Sequence, residues 1–177
     1  MSAGLAAHLG YLDGTPSSLL AGVFADVRSE NPASPFYTAV GAAAGASADL
    51  VWGTRSDTDA VDEWLAAPFH AVGLLRPGLS RVGFARSASG VAAIDVLDGL
   101  DAAVAAGGPV LFPGDGSTIG LPGYGGGESP DPTQTCAYAD PGSDWSGPGL
   151  PLVALLPAAP VAGLSASLAG PGGTATS

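Results

Sequence analysis

Chemistry needs side chains that release a proton, hold a metal or attack a carbon, and this 177-residue chain carries few of them. Two histidines, His8 and His70, and one cysteine, Cys136, stand among 16 acids and five arginines, with no lysine. A nucleophilic enzyme needs a nucleophile, a base and a group that orients the base. Cys136 lies in a loop rich in Pro, Gly and Asp with no histidine nearby in sequence, so neither a Cys–His pair nor a Ser–His–Asp set is marked out. One cysteine makes neither an internal disulfide nor a Cys-rich metal site. A zinc site wants three or four protein ligands. Asp131, Asp140 and Asp144 do not follow the EF-hand spacing. The glycine-rich stretch at 122–128 is no phosphate loop, since the Lys-Ser/Thr pair is missing and Glu128 repels phosphate.

Such residues act only where secondary structure brings them together. Residues 3–12 are rich in Ala and Leu and end at Asp13-Gly14, which predicts a helix and a turn. Ser17 and Ser18 cap a second short helix through Leu19, Leu20, Val23 and Phe24. Two prolines make 28–35 a loop. Residues 36–48 read as a marginal helix, because interior Gly41 and Gly45 each cost about 1 kcal/mol against Ala. Ser56 and Asp59 have capping-box-like spacing, and Val61, Trp64 and Leu65 follow as an i, i+3, i+4 stripe. Pro68 ends that helix, and 69–75 forms another short helical turn. The period then changes. Residues 79–85 and 91–97 are rich in Val, Ile and Leu and flank 87–90, as the strands of a β-hairpin or two successive strands do. Beyond Asp101 come a short strand at 110–112, a loop-rich stretch at 120–149, apolar runs at 150–156 and 161–168, and a frayed tail at 170–177.

The bulk numbers bound the function. Twenty-eight Gly and 16 Pro make the chain turn-prone, yet 46% of it is hydrophobic, which argues against global disorder. A net charge of -11 repels phosphate backbones, so nucleic acid is an improbable partner, and anionic membrane surfaces are disfavoured for the same reason. No segment is apolar for long enough to span a bilayer. The first eleven residues lack a basic n-region and a long apolar h-region, so no signal peptide is expected there.

Residues 59–70, Asp-Ala-Val-Asp-Glu-Trp-Leu-Ala-Ala-Pro-Phe-His, resemble CAP domains (cysteine-rich secretory, antigen 5, pathogenesis-related; also called SCP-like). Those domains carry A-V-x-x-W-[LM]-x-S-P-[FG]-H, then a leucine–proline turn and an R-[VI]-G strand. Leu74-Leu75-Arg76-Pro77 and Arg81-Val82-Gly83-Phe84 stand in the matching places. Upstream, 47–52 resembles the strip around the family's G-E-N-[LV]-[AV] motif. Glu30-Asn31-Pro32 with Tyr37-Thr38, and His8 with Tyr11-Leu12, resemble segments of a bacterial branch. Downstream, 112–116, 124–132, Cys136 and 149–152 resemble the extension that this branch carries. The resemblance implies an α/β fold, a CAP-like α/β/α sandwich over residues 1–107 with its first helix shortened or missing. Residues 108–177 then form a β-rich, loop-dominated C-terminal extension, truncated at its end. It also implies an extracellular or cell-envelope protein.

CAP domains often hold two histidines and two acids in one cleft. His70 matches one histidine. The partner histidine falls at Arg28, and the two acids fall at Ala48 and Ala67. Arginine cannot ligate a metal, since it stays protonated and offers no lone pair. The resemblance therefore implies a non-catalytic module with no cofactor and no metal centre, His70 being the single candidate ligand. Its partner would be a small apolar ligand or another macromolecule, met in a cleft with His70, Glu30, Arg28, Trp52 and Glu63 as candidates. Two rivals stand beside this reading. A metal-dependent hydrolase would use His70 with Glu30. A degenerate fragment would have no independent function, one sheet face being left uncovered. The bland alternatives are a structural His70 at the cleft floor, a packed or half-exposed His8, a solvated Glu63, and Trp64, Phe69 and Phe84 as core. Trp52 is either core or cleft wall.

Overall fold

The structure, a computed structural model, describes residues 1–101, 103–104, 107–121, 123–132, 149–157, 165, 167–170 and 173–176. Cys136, Asp140 and Asp144 lie outside these residues. The fold is mixed α/β. Four helices, α1 (Ser2–Gly14), α2 (Ala39–Gly45), α3 (Asp57–Ala66) and α4 (Pro68–Leu74), surround a three-stranded antiparallel sheet. Its strands are β1 (Asp49–Val51), β2 (Gly83–Arg86) and β3 (Ala92–Asp95), in the order β1-β3-β2. β3 pairs with both neighbours, Leu50 opposite Ala93 on one side and Phe84 opposite Ile94 on the other. Six consecutive residues, 91–96, are buried. Alternate side chains of a strand face opposite sides, and each side here meets a helix. Val91 and Ala93 pack with Leu5, Leu9 and Ala48. Ala92, Ile94 and Val96 pack with Ala60 and Trp64, whose indole meets the Phe84 ring edge-on at 6.2 Å. The core of the apolar run, β3, is thus a strand buried on both faces, which is why it does not alternate with polar residues.

α1 and its C-cap residue Thr15 present a polar stripe at i, i+3 and i+7 toward the loop that precedes α2. The His8 ring lies against Glu30 Oε1 at 2.8 Å, Tyr11 Oη accepts from Asn31 N–H, and Thr15 shares a hydroxyl hydrogen bond with Ser34. His8 and Tyr11 are also stacked, 6.2 Å apart and 11° from parallel. Residues at these helical spacings share one face, so consecutive turns of α1 grip Glu30, Asn31 and Ser34 in order. α2 closes over this seam. Thr38 caps it by accepting from Gly41 N–H. A Cβ on Gly41 would press on Glu30 Oε1 at 2.7 Å, and one on Gly45 would clash with the His8 ring. These glycines leave room for the buried pair beneath them, so they are fitted rather than merely unfavourable to the helix.

Ser56 caps α3 as its spacing predicts, accepting from Asp59 N–H. The reciprocal arm differs, since the Asp59 carboxylate turns outward to Arg55 and accepts from its backbone N–H and guanidinium. That pairing holds the Asp59 carboxyl at about 2, chiefly through the Arg55 hydrogen bond. Arg86 on β2 reaches Asp57 at 2.8 Å and ties α3 to the sheet. The β2–β3 turn closes with a Ser87 N–H to Val91 O bond and needs Gly90 at φ 85°, a region that glycine enters without strain.

The expected second short helix is two separate 3-10 turns, Ser17–Leu19 and Gly22–Phe24. β1 was not marked by periodicity, being only three residues long. Phe69 is half exposed rather than core, at 48%. Two further ribbons follow, β4 (Val110–Phe112) with β5 (Val153–Leu155), and β6 (Ser167–Gly170) with β7 (Gly173–Thr176). The tail from 170 therefore contains a strand where fraying was expected. No helix among the described residues is long and apolar enough to cross a membrane.

Glycine's two roles separate experimentally. Gly10 on α1 has nothing within 4 Å of an added Cβ, so Gly10→Ala should raise stability by about 0.5–1 kcal/mol through helix propensity. Gly45→Ala should lower it by about 1–3 kcal/mol, because the new methyl overpacks His8. Urea unfolding of both variants checks the pair, and equal effects would count against a fitted Gly45.

Candidate functional site

His70 enters the fold at the third position of α4, after Ala67 in extended conformation and Pro68 at the first helical turn. Proline suits that place because its missing N–H has no helical partner there. Ala67 offers no capping side chain, and α4 is capped from elsewhere. Glu128 Oε1 accepts from the His70 backbone N–H at 2.8 Å, across 58 residues of sequence. Gly126 and Gly127, at φ 89° and 86°, turn the chain so that this carboxylate points inward. Tyr124 Oη accepts from Glu128 N–H and steadies the turn. The Glu128 side chain is 1% exposed.

The His70 ring lies between two carboxylates. Nδ1 is 2.8 Å from Glu128 Oε1, but off the hydrogen-bonding direction, so the backbone N–H holds the bond and the ring contact is electrostatic. Nε2 faces Asp49 Oδ1 at 3.7 Å, beyond direct hydrogen-bond reach. Asp49 opens β1. Burial pushes its carboxyl above the ordinary value, against the attraction of His70, Arg28 and Arg76, and Glu128 adds to the rise. A shallow cleft of about 60 Å³ opens beside this group, with Trp64, Ala67, His70 and Glu128 in its wall.

The expected candidates divide. His70 and Glu63 share the cleft. Arg28 donates from Nε to the Ala48 carbonyl and bears on Asp49 through its charge. Trp52 is 52% exposed and does not line the cleft, so it is not core. Glu30 is buried against His8, with Oε2 accepting from Thr38 N–H. His8 is fully buried, its Nε2 donating to the Val27 carbonyl. Sequence reasoning missed two members. Asp49 sits one residue past Ala48, where the resemblance looked for an acid. Glu128 is distant in sequence, and only the glycines before it signal a turn.

Among the described residues that line the cleft, none is Ser, Thr or Cys. Among the described residues, no group of three or more His, Cys, Asp or Glu is arranged to hold a metal ion. No family model, curated protein or solved structure matches the chain.

The Asp49 shift has a definite sign in stability. A carboxyl raised in the folded state binds its proton more tightly there than in the unfolded chain. Its contribution is then full below the ordinary carboxylate value and falls as pH rises through the raised value. Asp49→Asn removes that titration. The variant should gain on the parent between pH about 3 and pH about 7, measured as the difference in urea midpoints. A difference that stays flat across that range would show that burial does not govern Asp49.

Proposed function

We propose that this chain is a non-catalytic binding module of CAP-like α/β/α architecture, acting outside the cell or in its envelope, with a small apolar molecule as ligand. The observation that carries the reading is an open groove of about 400 Å³ walled by Val61, Val82, Phe84 and Ile94, with Asp57 and Thr58 at its rim. Concave apolar pockets of about 300–1,000 Å³ suit small molecules, which favours such a ligand over a macromolecular partner. The groove lies where α3 meets β2, and Val82 leaves 44% of its surface open there.

The lining of the cleft supports a non-catalytic role. No Ser, Thr or Cys stands among the described residues that line the cleft beside His70. A metal-dependent hydrolase through His70 and Glu30 gains less support, since Glu30 is already engaged by His8 and Thr38. A degenerate fragment gains less as well, because each face of β3 packs against a helix. The location outside the cell rests on the sequence resemblance alone, and the acidic charge of -11 fits a partner other than nucleic acid.

Titration with the neutral fluorophore N-phenyl-1-naphthylamine tests the groove. Binding should be saturable, weakened about tenfold or more by Val82→Asp, which places a charge against the apolar probe, and unchanged by His70→Ala. Ester, phosphoester and peptide substrates should show no turnover with added zinc that His70→Ala abolishes. Absence of saturable probe binding, or a His70-dependent turnover, would overturn the reading.

A further inference from the structure

Among the described residues, three buried side-chain atoms have no hydrogen-bond partner within the protein: Trp64 Nε1, His70 Nδ1 and Glu128 Oε2. Their residues lie far apart in sequence, on α3, on α4 and after the glycine turn, yet all three line the one cleft of about 60 Å³. Buried polar atoms are nearly always paired, and leaving one unpaired is costly. Trp64 is 1% exposed, the Glu128 side chain 1% and the His70 side chain 17%. Three residues that carry such atoms around one opening are the pattern of a built polar site.

We propose that this cleft binds the vicinal hydroxyl groups of a polyol or sugar. The donor set selects that chemistry. Trp64 Nε1–H is an obligate donor, and neither an ammonium group nor a metal ion offers it a lone pair. Glu128 beside Asp49 and Glu63 disfavours an anion by charge repulsion. What remains is a neutral group that both accepts and donates. One hydroxyl oxygen accepts from Trp64 Nε1–H while its own proton goes to Glu128 Oε2. The neighbouring hydroxyl meets His70 Nδ1. Leu50, Val51 and Ala67 supply apolar wall for the carbon skeleton. The site is separate from the apolar groove, and its proposal does not depend on that groove being occupied.

The three indole N–H resonances of the chain give a direct readout in ¹H–¹⁵N spectra, with Trp64→Phe assigning the one that matters. The full chain is titrated with ethane-1,2-diol, glycerol and methyl α-D-glucopyranoside. The Trp64 indole N–H should move downfield saturably, and Glu128→Gln should weaken the response at least fivefold while leaving the backbone spectrum folded. Tighter binding of the glucoside than of the diols assigns a sugar, and the reverse assigns a small polyol. An equal response to hydroxyl-free 1,2-dimethoxyethane, or a stronger response to acetamide or methylammonium, overturns the proposal. So does the absence of saturable movement with any hydroxylated probe, which would mean that the cleft holds water only. Should Glu128→Gln unfold, His70→Phe carries the same expectation.

Discussion

A strand buried on both faces cannot tolerate error on either side, and β3 is such a strand. Its residues Ala92 and Ala93 are small, which lets α1 approach one face and α3 the other. Small side chains contribute little burial of their own, so the large neighbours supply it. Leu5 and Leu9 fill one side, and Trp64 with Ile94 fills the other. Close packing of this kind transmits displacement rather than absorbing it. β1 hangs on β3 through the pairing of Asp49 with Ile94, so the position of the Asp49 carboxylate is set by the same two-sided packing that sets Trp64. The cleft inherits its geometry from the core.

What the sequence made legible follows from how local each signal is. The α3 helix, with Ser56, Trp64 and Pro68, was readable because cap, stripe and stop all fall within thirteen residues. The β2–β3 hairpin was readable for the same reason, through its two apolar runs and the Ser87-to-Gly90 turn. β1 was not, because three residues are too few for a period to emerge. Helical content at α2 was readable, but the purpose of Gly41 and Gly45 was not. Their meaning lies in His8 and Glu30, which contact them only in space. In the site, His70 was marked by its neighbours in sequence. Glu128 was not, since its partner stands 58 residues away and nothing in a sequence records such a distance. The sandwich architecture read from the resemblance goes further than a mixed α/β fold with a helix packed on each face of β3.

The two histidines show how placement decides chemistry. His8 and His70 each stand 2.8 Å from a glutamate. At His8 both ring nitrogens have partners, Glu30 Oε1 and the Val27 carbonyl, so the ring is fully matched and holds the loop to α1. At His70 the carboxylate gives its hydrogen-bonding direction to the backbone instead. The ring nitrogen beside it is left over, and so is the second oxygen of Glu128. The same residue types thus build a saturated strut in one place and an unsaturated cleft in the other. Sequence composition counts the two pairs as equivalent, while hydrogen-bond direction does not.

Glu128 also makes the cleft conditional. α4 lacks a capping side chain of its own, since Ala67 stands at that position, and the Glu128 carboxylate takes over the task from a segment with no regular secondary structure. A carboxylate at a helix start is favoured by the helix dipole as well as by the hydrogen bond. Two thirds of the cleft wall therefore belong to β1, α3, α4 and the Ala67 between the helices, and one third to the turn of Gly126, Gly127 and Glu128. Docking of that turn completes α4 and the cleft in one step. A ligand that binds only the completed cleft must then stabilise the docked turn by mass action, in proportion to the logarithm of its concentration over its Kd. The link between capping and binding is thermodynamic: whatever weakens the Glu128 contact to His70 N–H weakens ligand binding too, even where the ligand never touches α4.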